Sequence, residues 1–186
     1  MTEITAIQKE IIAEFEKRSG ISILIGKEHL HAAIIEAQLD LSSMGSARGA
    51  YVFKPSALIQ EVIHWCPDNM DERREDMAYM TGTLFHEMAH ATQIRERLNR
   101  RFHPTMRNWM EETTVEMTAK RLSEHFNLLT PKAYERHNDY IGNWGMFLGS
   151  FERKACEEHS KAAMEYILQH WLPDFNKAYG NHKKAV

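Results

Sequence analysis

Cysteine is nearly missing. Cys66 and Cys156 are the two thiols in 186 residues, neither belongs to a C-x-x-C pair, and two thiols cannot build a disulfide framework. No apolar run approaches the length of a membrane span. The opening stretch MTEITAIQKEIIAEF scatters acids among its apolar residues and lacks both an apolar h-region and a small-residue cleavage site, so no signal peptide is expected. Positive charge is not in excess either: the formal net charge is −3. A general nucleic-acid or anionic-membrane binder is usually basic, so bulk charge suggests neither partner. There is no internal repeat, no low-complexity tract and no Pro/Gly/Ser linker long enough to hold separate domains apart. The expectation is a single cytoplasmic domain over 1–186, with its thiols reduced and no membrane partner.

What remains is ordinary globular material. Hydrophobic residues make up 43% and charged residues 26%, which argues against disorder. Eleven methionines suit adaptable core filling. Eleven histidines are many for this length.

Residues 3–18 read as an amphipathic helix with Ile4, Ile7, Ile11, Ile12 and Phe15 on one side, ended by Ser19-Gly20. Residues 21–25 read as a strand, 28–38 as a possible helix and 49–53 as a second strand, with a turn at Lys54-Pro55-Ser56. Residues 57–63 are a third short strand or a helical turn. From about Glu75 the pattern is helical. One long helix is expected over 75–98, apolar on nearly every side in its first half and charged in its second, so that it starts in the core and runs out to the surface. Further helices are expected over 107–127, 138–150 and 153–171, with Pro131 marking a break and a short helical tail after Pro173. A few strands followed by four or five helices predict an α+β domain, mostly helical with a small N-terminal β-sheet.

His86-Glu87-Met88-Ala89-His90 is H-E-x-x-H. Residues four apart share one helix face. Two imidazoles so placed can converge on one ion at about 2 Å from each nitrogen. Glu87, one step round the helix, stands where a general base takes a proton from water activated by the metal. The spacing therefore carries a mechanism, that of a zinc peptidase. Buried polar groups need partners, and this motif lies in an apolar helix, where a metal supplies them. Zinc is the choice of ion from ligand type.

A catalytic zinc takes three protein ligands and keeps one position open. The longer pattern H-E-x-x-H-x-x-G-x-x-H is absent, because Gln93 replaces its glycine and Glu96 its last histidine. The next helix offers Glu111, Glu112 and Glu116. At about 100° per residue, Glu112 and Glu116 fall between two apolar flanks, Val115-Ala119-Leu122-Phe126 and Trp109-Thr113-Met117. Glu112 is the expected third ligand and Glu116 the next choice. Placed one turn on, Glu116 could instead accept a hydrogen bond from a ligand imidazole. Glu111 reads as a solvated acid of the first helical turn.

Four segments, LFHEMAHAT, RLNR at 97–100, EETTVE at 111–116 and RHNDYIGNWGMFL at 136–148, stand in an order that resembles the zincin-like metallopeptidase domain of ArdC-type antirestriction proteins, carried by plasmids, conjugative elements and phages. GAYVFKPSALIQEV resembles the strand pair before that family's active-site helix. The resemblance covers roughly residues 45–170. It implies a gluzincin-like fold, His86, His90 and Glu112 as zinc ligands, and Glu87 as base. It also implies that His137 and Tyr140 lie near the metal, where a donor steadies a developing oxyanion. Thr113 and Thr92-Gln93 depart from the family's pattern. The longer family members carry an N-terminal single-stranded-DNA-binding domain for which the first 45 residues are too short, so nucleic-acid binding is not carried over. The expected partner is a protein or peptide substrate. The competing expectations are a binding protein that masks a host defence factor, and a DNA-associated antirestriction factor with a structural metal.

Four other features bear on the reading. Arg95, Arg97, Arg100 and Arg101 are expected to complement the C-terminus of the metal helix. His159 and His170 are expected on the inner stripe of the last long helix as core or rim residues, and Cys156 as a small buried residue. His103 could lie near the cleft.

Overall fold

The computed structural model describes residues 3–29, 48–54, 60–94 and 96–180. The possible helix over 28–38 lies almost wholly outside the described residues, as does the turn after Lys54. Helix α1 (Ala6–Ser19) opens on a reciprocal cap: the Thr5 side chain accepts from Gln8 N at 3.3 Å, and Gln8 Oε1 accepts from Thr5 N at 2.9 Å. Gly20 closes it at φ 73°, a conformation that favours glycine. Ile11 and Phe15 are fully buried along its inner face.

Strands β1 (Ser22–Ile25), β2 (Gly49–Lys54) and β3 (Gln60–Trp65) form one sheet in the order β1-β3-β2. Of the segment 57–63, whose period could not choose between strand and helical turn, the described part, 60–63, belongs to β3. It pairs on both sides, parallel with β1 (Ile23 beside Ile63) and antiparallel with β2 (Tyr51 beside Ile63). Ile63 and Trp65 of this central strand are fully buried, and the Trp65 indole donates to Met80 O at 2.9 Å, tying the sheet to the helix behind it.

That helix is α2 (Met77–Ala91), capped by Asp76, whose carboxylate accepts from Tyr79 N at 3.0 Å. Leu84, Phe85, Met88, Ala89 and Ala91 are fully buried, as its all-round apolar character requires. It does not run on to residue 98. Arg97 donates to Ala91 O at 2.5 Å and Arg100 to Ala89 O at 3.0 Å, so the last carbonyls are met by side chains folded back from the loop. Asn99, at φ 47°, sits in the reversal.

Helix α3 (Arg107–His125) packs against α2, α4 (Pro131–Gly145) and α5 (Ser150–Tyr166), and so occupies the middle of the helical layer. Pro131 opens α4 where a break with a helix from 138 was expected. Thr130 caps the helix by accepting from Ala133 N at 3.0 Å, and proline costs nothing at a first helical position. Helix α5 ends in a π-helical turn, Ile167–Trp171, before α6 (Pro173–Tyr179). The core lies where α1, the sheet, α2, α3 and this turn meet, around Phe15, Trp65, Phe85, Leu122 and Trp171. Among the described residues no helix is long and apolar enough to cross a membrane.

Candidate metal centre

Helix α2 sets His86 and His90 one turn apart, and α3 sets Glu112 opposite them. His86 Nε2 lies 3.2 Å from His90 Nε2 and 3.5 Å from Glu112 Oε2, and His90 Nε2 lies 3.5 Å from Glu112 Oε1. Two donors at ~2.0–2.1 Å from one tetrahedral ion stand roughly 3.3 Å apart. Each imidazole nitrogen thus faces a different oxygen of one carboxylate at about that length, so the two nitrogens and the carboxylate fit zinc in spacing and in chemistry. Among the described residues these three form the group of potential metal ligands. They sit at the base of a cleft of about 580 Å³ between β2 and the helices α3 and α4.

The other nitrogen of each imidazole is also held by α3. His86 Nδ1 meets Glu116 Oε2 at 2.6 Å, and Glu116 Oε1 meets His137 Nδ1 at 2.6 Å. His90 Nδ1 lies 3.3 Å from Glu111 Oε1, and Arg100 donates to that same oxygen at 2.5 Å. With both Nδ1 atoms turned to carboxylates, both Nε2 atoms point at the metal position. Glu111 is therefore not the solvated acid expected. It is buried and paired with a buried arginine, because the loop that ends α2 brings Arg100 back over the start of α3. Sequence reasoning missed Glu111 and Arg100, since no helical angle reports a partner arriving from a loop.

Electrostatics follow from this crowding. Burial disfavours charge on both imidazoles, yet hydrogen bonds to Glu112 and Glu116 raise His86, and those to Glu111 and Glu112 raise His90 to about 9. Burial likewise opposes charge on the acids, but the facing histidines hold Glu112 far below the carboxylate range and Glu116 at about 2. The centre is thus a set of ionised carboxylates that demands positive charge between them, which a dication meets. Glu87 differs. Burial pushes its carboxyl up, against the pull of His86 and His90. It lines the cleft beside β2, and a Cβ on Gly49 would stand 2.7 Å from its Oε1, so a larger residue there would have to push the Glu87 side chain aside.

Tyr140 lines the same cleft, its ring edge-on to His86 at 5.6 Å and its hydroxyl donating to Glu112 Oε2 at 3.0 Å. His137 lies one carboxylate behind His86, on Glu116, fully buried and not among the residues that line the cleft. His103 is exposed and pairs with Thr105, half-buried His159 stands edge-on to Phe102, and His170 is exposed beside Tyr166 rather than in the core. Arg97 pairs with Glu61 at 2.7 Å, Arg101 bonds Asn99, and Arg95 lies outside the described residues. Cys156 is fully buried.

The family model described as zincin-like metallopeptidase matches residues 62–156. The chain belongs to that family. None of the curated proteins and none of the solved structures matches it. The matched span of this zincin-like metallopeptidase starts in β3 and ends in α5, and it contains His86, Glu87, His90, Glu111, Glu112, Glu116 and Tyr140. Membership implies zinc and a peptidase kind of activity.

Proposed function

We propose that the chain hydrolyses peptide bonds as a gluzincin-type enzyme, with His86, His90 and Glu112 holding zinc and Glu87 acting as base. The observation that carries this reading is the pair of Nε2 atoms 3.2 Å apart, each 3.5 Å from an oxygen of Glu112, with the Glu87 carboxylate beside them and no part of that group. A purely structural metal has no use for that fourth group. Bound there, zinc supplies a Lewis acid that polarises a carbonyl and brings the pKa of a coordinated water down to about 7.

The chain's own residues do the rest. Glu87 takes the proton of the attacking water on a carboxylate oxygen and delivers it to the departing amine nitrogen. Its raised affinity for a proton, set first by burial, suits a group that must both accept and return one. The Tyr140 hydroxyl, freed from Glu112, donates to the oxygen that gains charge as the carbonyl becomes tetrahedral. Glu111 and Glu116 fix the imidazoles, and the cleft between β2 and α3 admits an extended polypeptide. The substrate is a protein or peptide, with neither membrane nor nucleic acid as partner. The setting is the cytoplasm, and the origin is a mobile element like that of the ArdC-type proteins whose segments the sequence resembles.

The test compares zinc-loaded wild type with Glu87→Gln on an unfolded protein substrate. The amide keeps shape but cannot take the proton, so cleavage falls by about 10²–10⁴ while zinc content holds. Equal cleavage by both proteins removes Glu87 from the chemistry. Zinc binding without cleavage by either replaces this reading with that of a protein acting by binding.

A further inference from the structure

A second pocket, of about 200 Å³, opens on the far side of Glu87. It shares Gly49, His86, Glu87 and Tyr140 with the cleft, so whatever enters it lies beside the bond that the proposed chemistry breaks. Its remaining wall comes from Arg48 before β2, Tyr79 and Thr83 on the first turns of α2, Glu116 on α3 and Arg136 on α4.

This wall is rich in donors. Arg48 and Arg136 share one carboxylate, that of Glu75, at 2.6 and 3.1 Å, and the Glu75 side chain is wholly buried beneath them. Asp139 reaches Arg136 at only 3.7 Å and is half exposed. Arg136 Nε is buried and has no hydrogen-bond partner. Its guanidinium is held over the Tyr79 ring, 5.5 Å from the centroid. Tyr79 is itself 5% exposed and lines the pocket. Thr83 turns its hydroxyl to Tyr79 O. Two acids line it as well, Glu87 and the ionised Glu116, whose oxygens are bonded to His86 and His137, so an incoming anion meets these carboxylates along with the two guanidiniums. A buried donor without an acceptor, as Arg136 Nε is, is costly, and a guanidinium pairs best with a carboxylate.

We propose that this pocket receives an acidic side chain, Asp or Glu, flanking the scissile bond of the substrate. The proposal rests on the peptidase reading and names the substrate class for it. Arg136 and Tyr79 are the residues that select.

Zinc-loaded wild type, Arg136→Met and Tyr79→Phe are each given a degenerate peptide library, and the cut bonds are sequenced, with zinc content and thermal unfolding recorded for each protein. The expected result is Asp or Glu at one fixed position beside the cut, favoured about tenfold over Asn or Gln. The preference drops to near parity in Arg136→Met and partway in Tyr79→Phe, with zinc at the wild-type level. If Arg136→Met does not fold, Tyr79→Phe carries the comparison. Cuts without acidic preference, or a preference that survives both changes, overturn the proposal and leave the peptidase reading standing. No cuts by wild type sink the peptidase reading instead. The pocket is then judged by binding of N-acetyl-aspartate amide against N-acetyl-asparagine amide to the same proteins. A tenfold difference in wild type that vanishes in Arg136→Met upholds an acid-binding pocket, and equal binding in wild type ends it.

Discussion

Arg100 and Glu111 form a buried ion pair, Nη2 to Oε1 at 2.5 Å, directly behind the His90 imidazole. The arginine also bonds Ala89 O and Thr92, the last turn of the helix that carries His90. One side chain therefore closes that helix and pairs with the carboxylate that orients its histidine.

Glu111→Gln and Arg100→Met are accordingly expected to weaken zinc binding about 10–100-fold, the usual cost of losing an outer partner of a metal-bound histidine. Competition with a chromogenic chelator measures it. Glu112→Ala is expected to lose more than either, because it removes a ligand. Affinity unchanged in both outer variants removes the ion pair from the account.

Gly82 faces His137 so closely that an added Cβ would stand 2.5 Å from the ring. Gly82→Ala must push His137 off Glu116 and loosen His86 in turn. The expected cost is about 1–3 kcal/mol, read by denaturant unfolding of the metal-free protein, together with weaker zinc retention. Wild-type stability and retention would show that the ring has room to move.

Cys66 and Cys156 are fully buried, and burial raises both thiols. Neither is expected to react with Ellman's reagent in the native state within minutes, whereas both react once the chain is unfolded in guanidinium. A fast native thiol contradicts the packing around Trp65 or around Met110.

Those regions of the fold written in local chemistry were legible in the sequence. Gly20 marks the end of α1, and the period of Ile11 and Phe15 gives its inner face, whereas the Thr5–Gln8 cap that sets its start was not read. His86, Glu87 and His90 are local too, set within one turn of a single helix. The failures share a cause. IRERLNR is made mostly of good helix formers, so nothing in it announces that α2 stops at Ala91; the stop comes from Arg97 and Arg100 bonding its last carbonyls. Glu111 looks like a first-turn acid until Arg100 arrives from that loop. Pro131 signals a break and a helix start alike, and only Thr130, accepting from Ala133 N, decides for the start. Whether His137, expected near the metal by resemblance, faces the cleft or stands behind Glu116 depends on how α4 packs on α3, which no local pattern encodes.

The zinc content of the purified protein tests the centre most directly. Wild type produced with zinc available and analysed by inductively coupled plasma mass spectrometry is expected to hold one zinc per chain, and His86→Ala, His90→Ala and Glu112→Ala to hold almost none. Wild type without metal, or a Glu112→Ala protein that keeps its zinc as well as wild type does, contradicts the site built from His86, His90 and Glu112.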